Sequence, residues 1–219
     1  MTTVYLVRHG ETEWNAKHRM QGRSDILLSE RGREQASFAA KAFESISVDA
    51  IYTSPLARAE ETALAIRGKR KIPLIREKGI IEIDLGKWEG YTPDDMDIHY
   101  PGQYDIWRER PGDIHIDGGE TFRQVQERAV RAFSRILEKE RGKTVLFVSH
   151  MGCISTILFS IARLPLNDLW KHPIGNCALC RVDADDEGHM EIKEWGKDDY
   201  IPERLRMKKP FGRISARKN

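Results

Sequence analysis

Short apolar runs alternating with amphipathic stretches predict an α/β fold. The expected form is a three-layer sandwich with a mostly parallel central sheet, an antiparallel edge strand and helices on both faces. β-type runs at residues 4–7, 50–53 and 144–148 have helical periodicity between them, and two final runs flank a Glu187-Gly188 turn. In chain order, Val4-Tyr5-Leu6-Val7 reads as a buried strand. Ser29 is placed to cap a helix whose Ala36, Ala39, Ala40 and Phe43 share one face. After the strand at 50–53, Ser54-Pro55 reads as an N-cap and first-turn proline, with Leu56, Ala59, Ala63 and Ile66 on one face up to Gly68. Residues 73–76 and 79–83 read as extended. The Pro-, Gly- and Asp-rich stretch 91–119 reads as an irregular cap with one short helix. Phe122, Val125, Ala129, Phe133, Ile136 and Leu137 define an amphipathic helix ending at Gly142. The strand at 144–148 is the most apolar and leads into a helix carrying Ile154, Ile157, Leu158 and Ile161; residues 178–182 and 190–195 form the closing hairpin.

The 219 residues are 40% apolar and 32% charged, with 36 basic and 34 acidic side chains. A chain this long buries a sizeable core, and a single domain is expected over residues 1–202. No apolar run reaches the roughly 18 residues of a membrane helix. The opening Met1-Thr2-Thr3-Val4-Tyr5 is strand-like and lacks a basic n-region, so no signal peptide is expected. Three cysteines make no disulfide framework and point to a reducing, cytoplasmic setting. Residues 203–219 carry seven basic side chains against Glu203 alone, which leaves residues 1–202 net acidic. The tail reads as a solvated basic extension; with an acidic body and no nucleic-acid module, a nucleic-acid partner is disfavoured.

Ligands of open α/β sheets bind beyond the carboxyl ends of the strands. Three such ends stand out: Arg8-His9-Gly10, Ser54-Pro55-Leu56-Ala57-Arg58 and Ser149-His150-Met151-Gly152. In one parallel sheet they would bring two imidazoles and two guanidinium groups to one edge, a setting suited to a phosphate dianion. A neutral imidazole is a competent nucleophile near neutrality and does not repel the dianion. The leaving oxygen then needs a proton donor. Glu82 stands among Ile80, Ile81, Ile83 and Leu85, where a carboxyl is expected to hold its proton; Asp84 and Glu89 are alternatives.

Residues 6–15, Leu-Val-Arg-His-Gly-Glu-Thr-Glu-Trp-Asn, resemble the signature of the histidine phosphatase superfamily, which includes cofactor-dependent phosphoglycerate mutases and many phosphatases. Blocks at residues 20–22, 28–32, 54–62, 82–90 and 149–152 come in family order, so the resemblance spans residues 4 to about 182. It implies a phosphoglycerate mutase-like sandwich, His9 as phosphorylated nucleophile, Glu82 as acid/base, and Arg8, Arg58 and His150 as phosphate clamp. It further implies that Asn15 helps hold the phosphate, that Gln21 and Gly22 border it, and that Met151 and Gly152 lie at the substrate. No metal or organic cofactor is implied, and the partner is a small phosphorylated metabolite bound by a monomer or homodimer. The Asp84-to-Gly90 stretch and the short interval to His150 favour a phosphatase, of the broad-specificity or α-ribazole phosphatase branch, over a mutase. Arg23 stands where the family often has an aromatic residue and is expected at the rim as an extra cation.

Other motifs fail on inspection. Gly142-Lys143-Thr144 lacks the upstream glycine of a P-loop, and Cys177-Ala178-Leu179-Cys180 on a strand would point to opposite faces, as core. His18, His99, His115, His172 and His189 show no ligand spacing, and Arg8 and Arg58 would repel a metal cation at the site. A non-catalytic phosphoprotein-binding role is disfavoured because every implied catalytic residue is present.

Overall fold

A computed structural model describes residues 1–207 and has a single six-stranded sheet. Its strands are β1 (Thr2–Arg8), β2 (Ala50–Thr53), β3 (Leu74–Arg76), β4 (Thr144–Ser149), β5 (Leu179–Ala184) and β6 (Met190–Lys197), in the order β3-β2-β4-β1-β5-β6. β1 to β4 are mutually parallel, and the β5–β6 hairpin adds the antiparallel edge. This is the expected architecture. Because β4 lies between β2 and β1, with Arg8 beside Ser149 and Thr53 beside Val148, the residues just beyond these strands emerge side by side. Register alone therefore brings His9, Ser54 and His150 to one sheet edge.

The helices are α1 (Glu13–Ala16), α2 (Glu30–Ala42), α3 (Ala57–Arg67), α4 (Pro93–His99), α5 (Gln103–Glu109), α6 (Phe122–Lys139) and α7 (Met151–Ala162). β4 alternates its side chains between two cores. Val145 and Phe147 pack with Ala129, Phe133, Ile154 and Ile157 of α6 and α7; Leu146 and Val148 pack with Ala36, Ala39, Ala63 and Ile66 of α2 and α3. Each fully buried Phe or Ile contributes about 1.5–3 kcal/mol relative to exposure. Ser29 accepts the Gly32 N–H as expected of an N-cap, and Thr121 with Gln124 closes a capping box at the start of α6. Cys177 and Cys180 fall in opposite cores, and burial pushes both thiols up to about 12. No described helix is long and apolar enough to cross a membrane.

Several local expectations change. Ser54 is not the N-cap of α3: that position is Leu56, without a side-chain bond, while the Ser54 hydroxyl meets His150 at 2.7 Å and accepts the Leu56 N–H at 3.4 Å. Residues 79–83 are not a strand; a 3₁₀ turn (Lys78–Ile80) runs into irregular backbone. Gly142 lies past the end of α6, in a positive-φ turn. The cap holds two short helices, α4 and α5, not one. Their Met96, Tyr104 and Trp107 build a third apolar cluster with Trp88 and Phe122. Glu203–Leu205 form a 3₁₀ turn against the body, with Leu205 buried and its carbonyl accepting from Gln35. Arg204 pairs with Glu34. The remainder of the basic extension, residues 208–219, lies outside the described residues.

Candidate active site

β1 delivers Arg8 and His9 to the sheet edge. The His9 N–H donates to the Ser149 carbonyl (2.9 Å), its own carbonyl accepts from Asn176 Nδ2 (3.0 Å), and the Gly10 N–H donates to Thr62 Oγ1 (3.0 Å). Gly10 lies so close to α2 that a Cβ there would stand 2.5 Å from the Gly32 carbonyl oxygen, which fixes the turn as glycine. His9 Nδ1 lies 2.7 Å from the Gly10 carbonyl, which can only accept. The ring proton therefore sits on Nδ1 and leaves a bare lone pair on Nε2. Burial, and then the charges of Arg58 and Arg8, hold the His9 pKa well below the usual histidine value, so the ring is neutral and nucleophilic at pH 7.

His150 emerges from β4 with its ring centroid 5.1 Å from that of His9. Its Nε2 is 2.7 Å from Ser54 Oγ, and burial followed by Arg58 keeps it neutral as well. Arg58, in the first turn of α3, is fully buried; it donates to the carbonyls of Ser24 and Gly22, both at 2.7 Å. Glu61 pairs instead with Arg33, so Arg58 is no surface residue of its helix. Arg8 donates to the Ile174 carbonyl at 2.7 Å. Burial pushes both guanidinium pKa values down to about 10, which leaves them cationic at neutral pH. Arg8 Nε, Arg58 Nε and His150 Nδ1 are buried polar atoms without a protein partner. A buried polar atom left unpaired costs about 1–3 kcal/mol, so both arginines and His150 carry polar atoms that the described protein leaves unsatisfied.

Arg8 and Arg58 border a cavity of about 590 Å³. Arg8, His9, Arg58 and Glu82 line it, as do Asn15, Gln21, Gly22, Met151 and Gly152; His150, expected in the phosphate clamp, is not among the lining residues and packs edge-on against the His9 ring. Asn15 spends its carboxamide oxygen on the Thr12 N–H (3.2 Å), and Gln21 Oε1 accepts from Thr12 Oγ1 (2.7 Å), so both also serve the loop they cap. Met151 Sδ lies 3.8 Å from Arg8 Nη1. Glu82 points its carboxylate in, held by the N–H groups of Ile83 (2.9 Å) and Gly152 (3.3 Å). A Cβ at Gly152 would lie 2.5 Å from Glu82 Oε1, so the start of α7 must be glycine for the carboxylate to seat there.

The competing carboxylates are occupied elsewhere. Asp84 binds Arg23 and the Gly86 N–H, Glu89 accepts from the Arg23 N–H and Ser24, and neither lines the cavity. Arg23 is not the expected rim cation. Its guanidinium is spent on Asp84 (3.1 Å), Glu120 (3.0 Å) and the Glu82 carbonyl (3.4 Å) and does not line the cavity. Sequence reasoning missed Ser54 as partner of His150, Thr62 and Asn176 as anchors of the His9 turn, and Arg206 and Met207 as cavity wall. A lone Asn in a Gly175-Asn176 turn carries no signal beyond loop propensity. Asp185, Glu187 and His189 converge at the exposed β5–β6 turn, where Asp185 accepts the Glu187 and His189 N–H groups; this is turn chemistry, away from the cavity wall.

The two buried imidazoles make stability depend on pH. Their pKa values are lowered in the folded protein, so the unfolded chain binds more protons below about pH 6.5. Stability is full above that pH and falls as pH drops through it. Ring-carbon NMR should show His9 and His150 neutral from pH 8 down to 6; titration of either in the ordinary histidine range would contradict the dry, cationic setting described here.

Comparisons with known proteins agree with this geometry. The profile of the histidine phosphatase superfamily (branch 1) matches residues 4–198. Phosphoserine phosphatase 1 of Hydrogenobacter thermophilus is 32% identical over 193 residues, 88% of this chain and 92% of its own. A probable phosphoglycerate mutase GpmB of Cronobacter sakazakii is 34% identical over 187 residues, 84% and 85% of the two chains. Among solved structures, Bacillus stearothermophilus YhfR superposes with a TM-score of 0.89 at 37% identity, covering 92% of this chain and 100% of its own. By that match over most of its length, this chain belongs to the histidine phosphatase superfamily, branch 1.

Proposed function

We propose that this protein is a phosphomonoesterase acting on small phosphorylated metabolites through a phosphohistidine at His9. The observation that carries the reading is the cavity that His9, with its bare Nε2, shares with the buried cations Arg8 and Arg58 and the carboxyl of Glu82. A phosphate dianion seated there accepts from Arg8 and Arg58 and meets the Nε2 lone pair. As the N–P bond forms and the P–O ester bond breaks, protonated Glu82 gives its proton to the leaving oxygen. Water then attacks the phosphohistidine; Glu82, now a carboxylate, takes the water proton, the N–P bond breaks and inorganic phosphate leaves. Asn15, Gln21, Gly22, Met151 and Gly152 shape the substrate side of the cavity, and His150 backs His9. No metal is needed, because two guanidinium charges favour an anion over a cation. Nor is a membrane or nucleic-acid partner needed, and the chemistry is compatible with a cytoplasmic monomer or homodimer.

The match to probable phosphoglycerate mutases favours a second reading, phosphate transfer between hydroxyls of one small acid. Against it stands the short span between Glu82 and His150, occupied by the compact cap. Phosphate release across a panel including phosphoserine, 3-phosphoglycerate and α-ribazole phosphate, run beside a mutase coupling assay, separates the two. Release from several esters without 2-phosphoglycerate formation is expected. Conversion of 3-phosphoglycerate faster than phosphate release would select the mutase.

A further inference from the structure

Outside the cavity wall, an array of charged groups lies behind Glu82, where residues 81–85 form neither helix nor strand. Irregular backbone leaves carbonyl and N–H groups that need partners. Around Glu82 those partners come from Arg128 on α6. Its Nη1 donates to the carbonyls of Gly79 (3.0 Å) and Ile81 (2.7 Å), and its Nη2 to the carbonyl of Glu82 itself (2.9 Å). The fork is fixed in turn by Glu120, with Nε to Oε1 and Nη2 to Oε2 both at 2.9 Å. Glu120 Oε2 also accepts the Asp84 N–H at 3.0 Å, and the Glu120 N–H donates to the Asp84 carbonyl at 2.8 Å. Arg23 closes the array from the far side through Asp84 and Glu120, and its Nε makes a longer contact to the Glu82 carbonyl at 3.4 Å. Neither Arg128, Glu120 nor Arg23 lines the cavity.

We infer that Arg128, locked by Glu120, is a positioning residue for Glu82 that sets where the acid/base carboxyl stands relative to the leaving oxygen. This rests on the proposed role of Glu82. Only a planar guanidinium supplies the fork: three carbonyls and a bidentate carboxylate are bound from one rigid plane, which an ammonium cannot do. Because Arg128 touches no reacting atom, its loss disturbs only the steps in which Glu82 moves a proton.

The test compares kcat/KM for an alkyl phosphate, whose leaving oxygen needs a proton, with that for p-nitrophenyl phosphate, whose leaving oxygen does not. In the Arg128→Ala protein the alkyl ester should lose about 10- to 100-fold while the aryl ester stays within about 3-fold. In a Glu82→Gln background, Arg128→Ala should remove little more, because the proton transfer it serves is already gone. Arg128→Lys, which keeps the charge and protects the fold if the alanine variant unfolds, should show the same contrast at smaller size; full rescue by lysine would overturn the fork. Equal losses on both esters, or losses that multiply fully in the Glu82→Gln background, would reduce Arg128 to a structural residue. If Glu82→Gln itself shows no ester contrast, the acid assignment and this inference fall together. A Glu82→Gln contrast without an Arg128→Ala contrast removes the inference alone.

Discussion

His9→Ala is expected to lower kcat/KM for p-nitrophenyl phosphate by about 10⁴-fold or more, because it deletes the group proposed to bond to phosphorus. The fold should survive the change. Among the described residues the His9 ring hydrogen-bonds only the adjacent Gly10 carbonyl, while the turn is anchored through backbone groups by Thr62, Asn176 and Ser149. Binding should survive too, since Arg8 and Arg58 keep their carbonyl anchors and their unpartnered Nε atoms. The expected pattern is therefore lost turnover with retained inorganic phosphate binding by calorimetry. Residual turnover above about 1% of the parent rate would mean a second group performs the displacement.

Glu82→Gln separates substrates by their leaving groups. Glutamine keeps the shape and the acceptor oxygen that meets the Ile83 N–H but has no acidic proton. For alkyl phosphates kcat/KM should fall about 10²- to 10⁴-fold, the usual contribution of a positioned general acid. For p-nitrophenyl phosphate kcat/KM should change little, whereas kcat should drop and a burst of nitrophenol appear, because water attack on the phosphohistidine now lacks its base. Parallel losses of kcat/KM on both esters would move the acid to another residue.

Much of this site is legible in the sequence because the physics that makes it is local. A buried parallel strand must be a continuous apolar run, and the residues just past its carboxyl end must sit at the sheet edge; hence Arg8-His9 and Ser149-His150 announce themselves. The proposed clamp role of Arg58 is legible only through the helix it opens. Its burial against the Gly22 and Ser24 carbonyls depends on a loop far away in sequence. The failures share a cause. Arg23 has the charge of a rim cation, but charge alone does not name a partner, and Asp84 and Glu120 are nearer than the cavity. Residues 79–83 read as extended because they are apolar, yet their carbonyls are bound by Arg128 and Ser149 instead of a neighbouring strand. Residues 203–207 read as solvated because the basic excess near the end masks one apolar anchor, Leu205, that the core takes up.

The most direct measurement is acid–base mapping of the enzyme-bound phosphate after rapid quenching of the Glu82→Gln protein with phosphorus-labelled p-nitrophenyl phosphate. The label should be stable to alkali, labile to acid and confined to the peptide containing His9, and absent when His9→Ala is added. Label on any other residue, or release of all nitrophenol with no protein-bound phosphate at any quench time, would contradict a histidine nucleophile in this pocket.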